Sequence, residues 1–188
     1  MILSILIPSL ESRAHLLNVL IENINNQIKE HYAVEVITLV DNKQITTGAK
    51  RQRLLEMSKG KYIVFIDDDD YIPEYYVEEM LKGCSSDCDC MAINGHMTTN
   101  NTNKIDWRIS KDYQNITIKE NGFDIYLRKT NHITAVKRDI ALIVGFPNKS
   151  NAEDKAYSDG INPYLKTEYK IHLPMYHYKY STLNKEYK

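Results

Sequence analysis

Three short, almost wholly apolar runs, separated by stretches of helical period, constrain this chain more than any other feature. They occupy residues 4–7, 34–40 and 62–66. None shows the strict alternation of a half-wet strand, and the second is rich in β-branched residues, so each reads as a buried strand. Between the first two, Leu16, Leu17, Leu20, Ile21, Ile24 and Ile28 recur at helical spacing from Arg13 onward, with Ser12 placed as N-cap. Residues 47–59 read as a second helix, closed by Gly60 in the left-handed conformation. Pro73 opens a third helix through Tyr76, Val77, Met80 and Leu81, and a fourth strand is expected over about 90–93. Such alternation calls for an α/β fold: a doubly wound, mostly parallel central sheet with helices on both faces.

The second half is less regular. A polar loop is expected at 98–103, a strand around 116–118, and a helix or turn near 123–127. Residues 152–165 read as helical in their first half, and 171–180 as short strands. No repeat or Gly/Pro/Ser-rich linker divides the chain, so residues 1–188 are expected to form a single domain.

Composition excludes several classes. With 43% hydrophobic and 26% charged residues the chain is neither disordered nor fibrous, and a net charge of −1 gives no general attraction for nucleic acid. The apolar start lacks a basic flank, stops at Pro8 and is too short to span a bilayer, so neither a leader nor a transmembrane segment is expected. Cys84, Cys88 and Cys90 are odd in number, which argues for a reducing, cytoplasmic setting. Half a zinc site is the sharper reading of their spacing, and small residues filling a helix end and the next strand the plainer one.

In parallel sheets of this kind, ligands collect at the carboxyl ends of the strands. Ser9, Asp41 and the run Asp67-Asp68-Asp69-Asp70 all fall there. Two unit charges about 4 Å apart near a protein surface repel by about 4 kcal/mol at an effective dielectric of about 20. A hard divalent cation, Mn²⁺ or Mg²⁺, removes that cost and takes one or two carboxylates plus substrate phosphates. The alternative is a solvated acidic turn without a ligand.

Several segments together resemble family 2 glycosyltransferases, which have the Rossmann-like GT-A fold. Residues 3–9, ending in Pro8-Ser9, are similar to the family's opening strand, and Val40-Asp41-Asn42 resembles its Val-Asp-Asp. Lys50-Arg51-Gln52 stands where the family has Ala-Arg-Asn, upstream of residues 60–67, which look like Gly-Glu-Tyr-Ile-x-Phe-Leu-Asp. Gly145-Phe146-Pro147 followed by Glu153-Asp154 is similar to the family's Gly-Phe-Asp and acidic pair, and residues 173–180 to its late Leu-Tyr-x-Tyr-Arg. Leu10-Glu11 and Asn42-Lys43-Gln44 depart from the family's Tyr-Asn and Asp-Gly-Ser.

The resemblance implies a nucleotide-sugar-binding half at 1–97 and an acceptor-binding, catalytic-base half at 98–188. It implies transfer from a nucleotide sugar, a UDP-sugar first, to a hydroxyl of a glycan or other acceptor, with inversion. Asp69 would be the direct metal ligand, with Asp67 and Asp68 toward ribose or metal-bound water, and His177 a further ligand. Pro8, Ser9, Asp41 and Arg51 would meet the nucleotide, and Lys50 would be merely solvated. Asp154, assisted by Glu153, would be the catalytic base; the alternative for this pair is a favourable charge at a helix start. His132 is an acceptor-side candidate, and Trp107 reads as packing. Two rivals remain: a phosphatase of the haloacid dehalogenase type with Asp67 as nucleophile, and a sugar-nucleotide or glycan-binding module without turnover.

Overall fold

The computed structural model describes residues 1–28 and 33–180. Strands β1 (Leu3–Leu10), β2 (Val34–Asp41) and β3 (Tyr62–Phe65) are parallel neighbours in the order β2-β1-β3. The two-residue β8 (Val136–Lys137) lies antiparallel between β3 and β4 (Cys90–Thr99). Beyond β4 the sheet continues through β5 (Thr102–Ile109), β7 (Phe123–Arg128) and the edge strand β6 (Ile116–Glu120).

Successive strand side chains point to opposite faces, and this builds two cores from the same strands. Leu3, Ile5 and Ile7 of β1 and Tyr62 and Val64 of β3 pack against α1 (Ala14–Ile28) and α3 (Tyr76–Ser85). Leu6, Ile63 and Phe65 face the other way, onto α2 (Thr47–Met57), α4 (Arg138–Val144) and α5 (Glu153–Ile161). The expected α/β architecture, with helices on both faces of the sheet, is therefore present.

The last strand, β9 (Glu168–Tyr180), changes sides. A strand has two hydrogen-bonding edges. Cys90 of β4 pairs with Val136 on one and Glu168 on the other, whereas His96 pairs with Asp106 of β5 and with His177. Its first residues thus occupy the edge of β4 that β5 takes further along, and its later ones the edge facing β3. The crossing falls at irregular pairing between Ala92 and Gly95, where Pro174, which cannot donate to a ladder, is tolerated.

Several local expectations change. The polar stretch at 98–103 is the tip of the β4–β5 hairpin, where Asn100, Asn101 and Asn103 have positive φ, a conformation asparagine tolerates. Residues 123–127 are strand rather than helix or turn, and the tail is one 13-residue strand. Ser12 lies inside a 3-10 turn, Glu11–Arg13, that runs into α1, so it is not the N-cap. Gly60 is not a left-handed cap either. A Cβ there would lie 2.6 Å from the backbone nitrogen of Ser4, so the glycine is needed for close approach. The cysteines are free thiols; Cys84 and Cys90 are buried at the end of α3 and the start of β4. Trp107 is buried beside Tyr176, as packing.

Candidate active site

A cleft of about 830 Å³ opens at the carboxyl ends of β1 and β3 and is lined by Pro8, Ser9, Arg13, Lys50, Arg51 and Glu153, among others. Asp67, Asp68 and Asp69 line it too, whereas Asp70 does not. The four carboxylates have four different environments.

Asp70 is buried and points away. Tyr176 Oη donates to its Oδ2 at 2.8 Å and the amide of Lys179 to its Oδ1 at 2.9 Å. Burial, together with Asp67 and Asp69 nearby, pushes its pKa well above the usual carboxylate range. Asp68 is also buried, receiving the Ser9 hydroxyl and, at 2.7 Å, Nη1 of Arg13. Asp69 is more open, with 31% of its side chain exposed, and meets Nη2 of Arg13 at 3.2 Å. Burial and the neighbouring aspartates raise its pKa against the pull of Arg13.

Asp67 joins the two halves of the chain. Arg51, nearly sealed from solvent on α2, donates through Nη2 to Asp67 at 2.8 Å and through Nη1 to Glu153 at 2.9 Å. Burial alone would raise the Asp67 carboxyl, but Arg51 and His132 outweigh it and hold it well below the ordinary range. Nε2 of His132 stands 3.6 Å from Asp67, beyond hydrogen-bond reach, and neither buried ring nitrogen has a hydrogen-bond partner among the described residues.

Lys50 corrects the sequence reading. Expected to be solvated, it is 4% exposed; its ammonium pairs with Asp41 and donates to the carbonyl of Ser9 at 2.5 Å. Burial is the largest influence on Asp41 and would raise its pKa, yet Lys50 and the amides of Ile45 and Gln44 lower it. Asp41 does not line the cleft; it holds the lysine that does. At the far wall, Gly48 donates to the carbonyl of Lys149 at 2.9 Å. A Cβ on Gly48 would lie 1.9 Å from the carbonyl oxygen of Pro147, so only glycine lets this loop carry Ser150 and Asn151 to the cleft.

Asp154 sits beside Glu153 in the first turn of α5, accepts the amide of Lys155 at 2.7 Å and adds to the negative field on Arg51, but does not line the cleft. His177 is not brought to the acidic run. On β9 its neighbours Tyr176 and Tyr178 take the side of the aspartates, while its ring stacks on His96 at 4.2 Å and its Nε2 meets Thr98 at 2.8 Å. Arg13 was not singled out from the sequence; its signal is a cation one turn beyond the rim at which the aspartates emerge.

Among the described residues, no group of three or more His, Cys, Asp and Glu side chains is disposed to hold a metal. Asp67 and Asp69 nevertheless present partly exposed, hard oxygen donors to one cleft. Two carboxylates fit a cation of the Mg²⁺ type, which takes its remaining ligands from phosphate and water. Among the described residues no helix is long and apolar enough to cross a membrane.

Comparison with known proteins bears on this arrangement. EpsH of Bacillus subtilis (strain 168), named "Putative glycosyltransferase EpsH", is 28% identical over an alignment of 142 residues that covers 70% of this chain and 41% of EpsH. The S. aureus TarS 1-349 structure in complex with UDP aligns with a TM-score of 0.70 at 13% identity, over 95% of this chain and 60% of that one. The mannosyltransferase PcManGT from Pyrobaculum calidifontis, in complex with GDP-Man and Mn²⁺, aligns with a TM-score of 0.62 at 13% identity, over 98% of this chain and 58% of that one. The chain thus spans less than two thirds of the length of these proteins, and the solved ones share its mostly parallel GT-A sheet. The profile of Glycosyl transferase family 2 matches residues 46–142, just over half of the chain, and covers α2, β3 and the acidic turn. With that match the phosphatase reading falls away, and the chain belongs to glycosyltransferase family 2.

Proposed function

We propose that this chain is a metal-dependent glycosyltransferase that moves a sugar from a nucleoside diphosphate sugar, a UDP-sugar first, to a hydroxyl of a glycan or other acceptor, with inversion. One observation carries the reading: Arg13, Lys50 and Arg51 share a single cleft with Asp67, Asp68 and Asp69. Cations suit a diphosphate, and carboxylates suit the metal that accompanies it. UDP and UDP-GlcNAc in TarS structures, and GDP-Man with Mn²⁺ in PcManGT, support the ligand class.

Residues 1–97 would take the nucleotide sugar and 98–188 the acceptor. Asp69 and Asp67 would hold Mn²⁺ or Mg²⁺, with Asp68 as their buried support and His177 left out. Bound there, the cation supplies Lewis-acid stabilisation to the departing diphosphate. Pro8 and Ser9 would form the floor, and Lys50, set by Asp41, would face the nucleotide. Arg51 and Glu153 fix each other and Asp67. Asp154 would take the proton from the acceptor hydroxyl as its oxygen attacks the anomeric carbon.

The test is a thermal-shift panel of nucleoside diphosphates with and without Mn²⁺, because a ligand that selects the folded state stabilises it by mass action. A rise in melting temperature that needs both diphosphate and metal supports the reading; no metal-dependent shift with any of them sinks it. Binding without even slow Mn²⁺-dependent hydrolysis of a donor would leave a non-catalytic binding module.

A further inference from the structure

Every carboxylate of the acidic turn already has a partner within the protein, and for the two that flank the open cleft floor that partner is one guanidinium. Arg13 reaches Asp68 at 2.7 Å and Asp69 at 3.2 Å, and its own side chain is 18% exposed. Asp68 is locked from behind by Ser9 and has only 1% of its side chain exposed, so the firm half of the bridge is a buried ion pair. The Asp69 half is longer and more open. A divalent cation drawn to Asp69 therefore meets a positive charge at the same oxygens. Arg13 also lines the cleft, and it springs from the short 3-10 turn Glu11–Arg13, none of whose residues is buried.

We propose that Arg13 is an exchangeable counter-cation of the acidic turn, which couples metal binding to diphosphate binding. Without ligand it neutralises Asp68 and Asp69 and disfavours metal alone. A diphosphate offers the guanidinium a second, forked anionic partner, and the metal takes the carboxylate that Arg13 gives up. Either ligand alone must bear the loss of the bridge, whereas together they share it, so each raises the affinity of the other by the same factor. The proposal rests on the metal and nucleotide reading above and adds to it the order and interdependence of loading.

The experiment measures Mn²⁺ affinity from the free-ion EPR signal, with and without uridine diphosphate, for the wild-type chain, Arg13→Met and Arg13→Lys. Arg13→Met should bind Mn²⁺ alone about tenfold more tightly than wild type, and the gain on adding UDP should shrink about fivefold or more, within the usual range of coupling between sites. Arg13→Lys keeps the charge and should remain close to wild type for Mn²⁺ alone, which separates charge from any loss of folding. Wild-type and Arg13→Met chains with equal Mn²⁺ affinity and equal UDP-induced gain overturn the proposal while leaving the functional reading intact. A wild-type chain that binds neither Mn²⁺ nor UDP overturns both.

Discussion

The hydroxyl of Tyr176 accepts the backbone amide of Asp67 at 3.2 Å and donates to the carboxylate of Asp70 at 2.8 Å. One oxygen on β9 thereby holds both ends of the acidic turn, although β9 follows that turn by about a hundred residues. Tyr176→Phe keeps the ring and removes this clamp. The loss of a buried hydrogen bond leaves polar groups short of a partner, so unfolding should become easier by about 1–3 kcal/mol. Urea titration followed by circular dichroism reads this directly, and an unchanged midpoint would show that the amide of Lys179 is sufficient to hold Asp70.

Arg51 compensates two carboxylates at once. Arg51→Met should cost roughly 3–5 kcal/mol, the range for breaking a buried pair and leaving its partner uncompensated. Arg51→Lys should recover little, because one ammonium lacks the fork that reaches Asp67 and Glu153 together. Adding Glu153→Gln to Arg51→Met should be less than additive, since both changes touch one network. Strict additivity in the unfolding free energies would contradict a shared bridge.

Acid stability should depend on Asp41. Its folded pKa lies below the unfolded value of about 3.9, so its contribution is fully present above that pH and is lost as pH falls through the folded value. Asp41→Asn leaves the Lys50 ammonium buried without its carboxylate and should cost roughly 3–5 kcal/mol at pH 7. The gap between variant and wild type should narrow below about pH 4, where the wild-type carboxylate also becomes neutral. Unfolding curves at about pH 7, 5 and 3 read the narrowing.

Asp69 and Asp154 should separate binding from chemistry. Asp69→Ala should abolish the Mn²⁺-dependent thermal shift with a nucleoside diphosphate. Asp154→Ala should keep that shift and lower transfer by about 10²–10⁴-fold, the usual contribution of a positioned base. Full transfer activity in Asp154→Ala would remove it from that role.

Gly48→Ala tests the far wall. The added methyl would press on the Pro147 carbonyl and should destabilise by about 1–3 kcal/mol, as overpacking does. Nucleotide affinity should weaken as well, because Ser150 and Asn151 travel with that loop.

The first half of the fold was legible because its buried strands and helices carry their own periodicities. So was the placing of Ser9 and Asp67–Asp69 at one rim, which follows from strand direction alone. The second half was not. In β6 and β7 most side chains are exposed or half-buried, so no apolar stripe marks them as strands. The Arg51–Glu153 pair joins residues 102 positions apart, and the burial of Lys50 depends on how α2 packs against β1 and β2. Asp41 and Arg51, which the resemblance assigns to the nucleotide, also hold other side chains of the site: Lys50 in one case, Asp67 and Glu153 in the other. The sequence places His177 one step from Tyr176, and a strand turns that single step into the opposite face.

The crossing of β9 over β4 also sets an order of assembly. As the chain leaves the ribosome, β1 to β4 emerge with most of their helices, and a sheet resembling the final one can begin to form. The acidic turn of that intermediate still lacks Tyr176 and Lys179, so Asp70 has neither of the partners that turn it inward. Such long-range closure is paid for late and slowly in folding. Until the final strand docks, Asp70 alone of the four lacks its partners, because Asp67, Asp68 and Asp69 meet Arg51 and Arg13, which precede them in the chain.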